Sequence, residues 1–246
     1  MNKKTPIKKS PSKTSAKPNA KKAHVAMSLK DVKKSFVQGT RSIEVLKGVT
    51  FDINQGEIVA LVGQSGAGKS TMLQMAGLLE CPTSGSVMIE GIEASKANDQ
   101  ARTNLRGRTI GFIYQSHNLM PEFTALENVT LPQLIVGIPK DRANKRSAEL
   151  LDGVGLSHRL HHVPSKMSGG EQQRVAIARS MANNPAILLA DEPTGSLDEE
   201  TAERVFQTLI DMTKKTGLSA LIATHNLDLA KRMDRTIKLH SGTVSE

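Results

Sequence analysis

The residues in this 246-residue chain whose types and spacing could do chemistry begin with Gly63-Gln64-Ser65-Gly66-Ala67-Gly68-Lys69-Ser70-Thr71. They fit the pattern G-x4-G-K-[ST]. In that pattern glycines let backbone amides close around phosphates, and a helix N-terminus adds the positive end of its dipole. Lys69 then reaches the outer phosphates, and the Ser70 hydroxyl can ligate magnesium. A second constellation is Ala186-Ile-Leu-Leu-Ala-Asp191-Glu192, an apolar run that ends in two carboxylates. Asp191 at the end of such a strand can hold the magnesium, and Glu192 beside it can orient and polarise a water attacking the outermost phosphate. A second metal ligand and a helix cap are the alternative roles for Glu192.

Both constellations need a strand to carry them and a helix to follow. Ile58-Val-Ala-Leu-Val62 is a continuous apolar run of buried-strand length, and Lys69 to Leu79 places apolar residues at helical spacing. A strand, glycine loop and helix in that order open a parallel α/β sheet. Ala186 to Asp191 and Ser219 to Thr224 read as two further buried strands, separated by a helical segment from Glu199 to Lys214, as β-α-β units require. Met27 to about Glu57 alternates in short pieces broken by Gly39, Gly48 and Gly56, which predicts an antiparallel sheet. About Gln115 to Asn184 is more polar and largely helical, and we assign it as an inserted lobe. There are no internal repeats.

Composition removes several classes. Apolar residues make up 38% of the chain but come in short runs, below the ~18 to 20 residues that span a bilayer. A membrane role therefore goes through a partner. The single cysteine, Cys81, excludes an internal disulfide framework, and no apolar stretch near the start resembles a secretory signal. Both favour the cytoplasm. The net charge of +9 is local, because residues 1 to 22 hold eight lysines and no acid, leaving +1 on the rest. Residues 1–26 are expected to form a disordered basic tail, either without a task or weakly attracted to anionic lipid. Synthesis beginning at Met27 is the alternative. The remaining domain, 27–246, is nearly neutral, which speaks against nucleic acid as a partner.

The further motifs resemble those of ABC transporter ATP-binding subunits. Met167-Ser168-Gly169-Gly170-Glu171-Gln172-Gln173 resembles the family's signature, with methionine for the usual leucine and glutamate for the usual glutamine. Ser168 stands 23 residues before Asp191. Pro193-Thr194-Gly195-Ser196-Leu197-Asp198 resembles the D-loop, Ala223-Thr224-His225 the switch histidine, and Gln115 after Ile113-Tyr114 the Q-loop glutamine. Phe36, 27 residues before Gly63, stands where the family places an aromatic ring against adenine, and is equally suited to a core position.

The resemblance implies an α/β P-loop NTPase (RecA-like) core with an N-terminal antiparallel β subdomain and an inserted α-helical subdomain at about 115–184. It implies ATP and Mg2+ as ligands, Glu192 as base, His225 at the γ-phosphate, and Ser70, Gln115 and Asp191 around the metal. Two copies would pair head to tail, with Ser168, Gly169, Gly170, Glu171 and Asp198 completing the partner's site. Membrane subunits would dock near Gln115 to Val129, at the cytoplasmic face of a bacterial inner membrane.

Gly111 to Val129, with Leu131-Pro132 and the later Thr224 to Met233, resembles the ATP-binding subunits of lipoprotein-releasing systems, although Ser116, Asn118 and Met120 depart from that pattern. Macrolide-exporter-like and division-associated ATPases are the near alternatives. A soluble ABC ATPase acting on DNA or ribosomes is the distant one, and the chain has neither the coiled-coil insertion nor the second ATPase domain such proteins carry.

Overall fold

The computed structural model describes Met1, residues 24–39 and residues 41–245. Residues 2–23 of the expected tail lie outside the described residues. At the tail's other end the boundary is corrected. Val25 and Ala26 already belong to the first strand, and Ala26 is buried, with its carbonyl accepting the Glu90 amide at 2.9 Å.

β1 (Val25–Gln38) and β2 (Arg41–Asn54) pair antiparallel along their whole length. In β2 the buried residues Val49, Phe51 and Ile53 alternate with exposed Thr50 and Asp52, the pattern of a sheet with one covered face. This sheet is larger than the expected stretch from Met27 to Glu57. β4 (Ser84–Ile89) and β5 (Ile92–Glu93) return after the glycine loop and give the order β2-β1-β4-β5. β1, with Met27 opposite Ile89 and Leu29 opposite Val87, is thus covered on both edges.

The second sheet has six strands in the order β10-β9-β3-β8-β7-β6. It comprises β3 (Ile58–Val62), β6 (Ile110–Tyr114), β7 (Ile187–Asp191), β8 (Ser219–Thr224), β9 (Arg235–His240) and the short antiparallel β10 (Thr243–Ser245). β3 and β8 are buried at every residue, because a parallel strand with both faces covered has no solvent side. Successive residues of the central strands feed two different cores. Val59, Leu61, Leu189 and Leu221 pack with α1 (Lys69–Ala76) and the antiparallel sheet. Ile58, Leu188, Ala190 and Ile222 pack with the helices that lie between residues 125 and 230.

α2 (Asp99–Thr109) leads into β6, and between β6 and β7 lie α3 (Ala125–Ile135), α4 (Lys140–Gly153) and α5 (Gly169–Ser180). These three helices share one hydrophobic cluster with α6 (Glu199–Thr216), in which Val205, Phe206 and Leu209 are buried against β7 and β8. Burying a side chain the size of Phe206 contributes about 2 kcal/mol. α6 starts on the Asp198 cap and stops at Gly217 with φ 67°, a left-handed turn suited to glycine.

Strand register sets up the site. Tyr114 lies opposite Asp191, Asp191 opposite Ala223, and Val62 opposite Thr224. The segments after β6, β7, β8 and β3 therefore leave the sheet along one edge, the C-terminal edge where open α/β sheets bind ligands.

Candidate active site

The loop after β3 wraps around the start of α1. Gly68 holds φ 100° and caps the helix, with no side chain satisfying the first-turn amides. A β-carbon at Gly68 would stand 3.1 Å from Val45 Cγ1, so both the backbone angle and the space require glycine. Lys69 folds back over the loop, and its Nζ donates to the carbonyls of Gly63 at 2.9 Å and Gln64 at 3.4 Å. Above it opens a cavity of about 550 Å³, walled on one side by Ser65, Gly66, Gly68, Lys69, Ser70 and Thr71. Gln115, Asp191, Glu192 and His225 form the opposite wall.

Glu192 is the hub of that wall. Its φ of 48° is unusual for a residue with a side chain, and the turn is held by its amide donating to the Ala223 carbonyl at 3.0 Å. One carboxylate oxygen accepts from His225 Nδ1 at 2.8 Å and from the His225 amide at 3.3 Å. The other stands 3.7 Å from Lys69 Nζ, an ion pair with both side chains mostly buried. Gln115 is fixed from its main chain, whose carbonyl accepts the Ser196 hydroxyl at 3.0 Å. Its side-chain amide presses on Gly195, where a β-carbon would stand 3.0 Å from Nε2. Ser70, Gln115 and Asp191 supply a hydroxyl, an amide and a carboxylate to one cavity. This hard-oxygen set suits Mg2+, which keeps several waters and uses few protein ligands.

Such a cavity is shared by many phosphate-binding folds, and comparison with known proteins separates them. The ABC transporter family model matches residues 46–195. The chain belongs to the ABC transporter family. Among curated relatives, the lipoprotein-releasing system ATP-binding protein LolD 1 of Rhodospirillum rubrum is 57% identical, over 89% of this chain and 97% of its own. The LolD protein of Paramagnetospirillum magneticum is 53% identical over 89% and 97%. Among solved structures, the ATP-binding cassette MJ0796, in a dimeric post-hydrolysis state bound to ADP and Pi, matches with a TM-score of 0.82. It is 41% identical, over 89% of this chain and 97% of that one. The P-loop NTPase fold expected from sequence is therefore the fold of this ABC ATPase, which binds ATP and couples its hydrolysis to transport.

Several sequence-selected residues of the ABC ATPase stand outside the cavity. Ser168 caps α5, and its box with Glu171 is reciprocal: Ser168 Oγ accepts the Glu171 amide at 3.3 Å and Glu171 Oε2 accepts the Ser168 amide at 2.8 Å. Burial pushes the Glu171 carboxyl up. The bond from the Ser168 amide and the Arg159 guanidinium, 2.9 Å away, outweigh it and leave the group below its ordinary range. Gly169 and Gly170 form the first turn, and a β-carbon at Gly170 would meet the Thr201 side chain at 2.5 Å, so glycine lets α5 approach α6. Asp198 caps α6, and the Thr201 amide holds its carboxyl below the ordinary value.

Phe36 is exposed on β1 with Lys34 Nζ 5.0 Å from the ring centre, and it does not line the cavity, whereas Val45 does. Val45, Arg159 and Gln173 are contributors the sequence reasoning missed. A separate groove of about 350 Å³ runs beside the segment after Gln115. It is lined by the stacked rings of Phe112 and Tyr114 and by Leu79, Asn118, Ile135 and Arg179. Among the described residues no helix is long and apolar enough to cross a membrane.

Proposed function

We propose that this ABC ATPase is the ATP-binding subunit of a lipoprotein-releasing system, in which hydrolysis drives lipoproteins out of a bacterial inner membrane towards the outer membrane. The single observation that carries the chemistry is Glu192, held between Lys69 and His225 at the wall facing the phosphate loop. ATP lays its phosphates on the amides of Gly63 to Gly68, Lys69 exchanges Glu192 for the γ-phosphate, and Ser70 and Thr71 close the helix end. Ser70, Gln115 and Asp191 would hold Mg2+, which when bound would neutralise charge developing on the phosphates. Glu192, freed from Lys69, accepts the proton of the attacking water, and His225 keeps the carboxylate aimed. Phe36 stacks on the adenine.

Two copies pair head to tail. The Ser168 hydroxyl and the first-turn amides of Gly169 and Gly170 face the partner's γ-phosphate, with Glu171 and Asp198 beside them across the dimer interface, so ATP favours the closed dimer and hydrolysis releases it. The groove beside Tyr114 and Asn118, rimmed by exposed Leu79 and Ile135, receives membrane subunits at the cytoplasmic face. The lipoprotein assignment is supported by the LolD relatives, which match almost end to end.

The test is an affinity pull-down of Glu192→Gln from detergent-solubilised membranes with ATP, read by mass spectrometry. Membrane subunits with large periplasmic domains, together with lipoprotein, are expected. A single exporter subunit or a division protein would overturn the lipoprotein assignment, and ribosomes or DNA would overturn the transport partner altogether.

A further inference from the structure

Gln173, on α5, is fully buried and uses its amide on three groups from two stretches of chain at once. Its Nε2 donates to the Pro193 carbonyl at 2.5 Å and to the Tyr114 carbonyl at 3.3 Å. Its Oε1 lies 2.5 Å from His117 Nδ1, which must carry the proton because an amide oxygen only accepts. Farther along α5, Arg179 donates to the His117 carbonyl at 2.7 Å and the Asn118 carbonyl at 2.5 Å. His117 and Asn118 are held at φ 61° and 49°, a left-handed pair that costs energy and persists only where its surroundings fix it. Helix α5 therefore clamps the chain after β6 and also grips the chain after β7.

The two gripped carbonyls are placed with consequence. Tyr114 immediately precedes Gln115, and Pro193 immediately follows Glu192. A buried amide deprived of its partners is costly, so Tyr114 and Pro193 cannot drift apart without leaving Gln173 unsatisfied. We propose that Gln173 is a positioning residue for hydrolysis: it ties the main chain at Tyr114 to that at Pro193 and thereby sets Gln115 beside Glu192 on the wall that faces the phosphate loop. The proposal rests on the roles given above to those two side chains. The groups that grip phosphate sit on a different strand and helix, in the loop from Gly63 to Thr71. Loss of the tie therefore spares binding and harms the chemical step.

The test uses Gln173→Met, which keeps size and removes both donors, and His117→Ala, at a half-buried position where folding is less at risk. Gln173→Met is expected to lower kcat about tenfold while the Kd for a fluorescent ATP analogue stays within about twofold. His117→Ala should lower kcat about threefold at unchanged Kd, and the double variant should be no worse than Gln173→Met alone. A merely structural role would lower melting temperature and nucleotide affinity together, and that result, or unchanged kcat in Gln173→Met, overturns the proposal. If Gln173→Met does not fold, His117→Ala decides: its threefold drop at unchanged Kd supports the tie, and unchanged kcat overturns it. Glu192→Gln runs alongside as control. Activity retained there would overturn the assignment of the base. An inactive Glu192→Gln beside a fully active Gln173→Met would overturn this inference alone.

Discussion

Replacing Glu192 with glutamine removes two things at once, and one should act on the rate while the other acts on affinity. The first is the base proposed above. A positioned carboxylate contributes about 10²- to 10⁴-fold, and the isosteric amide cannot accept the water's proton, so kcat should fall by about 10³-fold. The second is the ion pair with Lys69, at 3.7 Å and mostly buried. Coulomb attraction at that distance in an effective dielectric of ~20 is of order 4 kcal/mol. Desolvation and side-chain ordering cancel most of it and leave about 1 kcal/mol. That remainder is what the γ-phosphate must overcome to claim Lys69. Glu192→Gln should therefore bind ATP about fivefold tighter than the native chain while hardly hydrolysing it. Calorimetric titration gives the affinity and single-turnover phosphate release gives the rate. Equal hydrolysis would remove Glu192 as the base. Weaker binding with lost hydrolysis would show that the pair with Lys69 organises the empty loop rather than competing with phosphate.

Lys69→Ala leaves the cavity without its central cation and should weaken ATP binding by about tenfold or more, so that no ATP-bridged dimer forms in sedimentation with MgATP. Gly195→Ala sets a methyl 3.0 Å from Gln115 Nε2, and displacement of that amide should lower kcat about threefold with little change in melting temperature. Arg159→Ala removes the cation that balances Glu171 at the start of α5. It should weaken the MgATP dimer of the Glu192→Gln chain severalfold, and adding Glu171→Gln should restore it. The lowered Glu171 carboxyl also fixes a pH dependence. A carboxyl depressed in the folded state stabilises above its ordinary pKa, and that contribution is lost as pH falls through the lowered value. The melting-temperature advantage of the native chain over Glu171→Gln at pH 7 should thus narrow below about pH 4.

The cavity was legible because its parts are local. A glycine loop between an apolar run and a helical pattern announces itself, and β3, β7 and β8 are covered on both faces, so their sequences are apolar except at the ends, Asp191, Ser219 and Thr224. The elements that escaped lack that signal. β4 opens Ser-Gly-Ser with few buried positions, and it joins the antiparallel sheet only because β1 offers a free edge across a long loop. α2 has no buried residue, so no apolar stripe marks it. Gln173 and Arg159 look like solvated helix and loop side chains in sequence, and only packing of α5 against the ends of β6 and β7 makes one fully buried and the other an ion-pair partner. Val45 reaches the cavity because β2 passes beside Gly68. Phe36, chosen by its spacing from the glycine loop, is exposed on β1 beside Lys34 and outside the lining of the phosphate cavity, so a base would meet it only beyond the phosphates.

The central claim is that hydrolysis at Glu192 powers release of lipoproteins from a membrane. Its most direct measurement is lipoprotein release from proteoliposomes that contain the co-purified membrane subunits and this chain. Release on addition of MgATP with the native chain, and none with Glu192→Gln, is the result this account predicts. Hydrolysis by the native complex while the lipoprotein stays in the bilayer would contradict it.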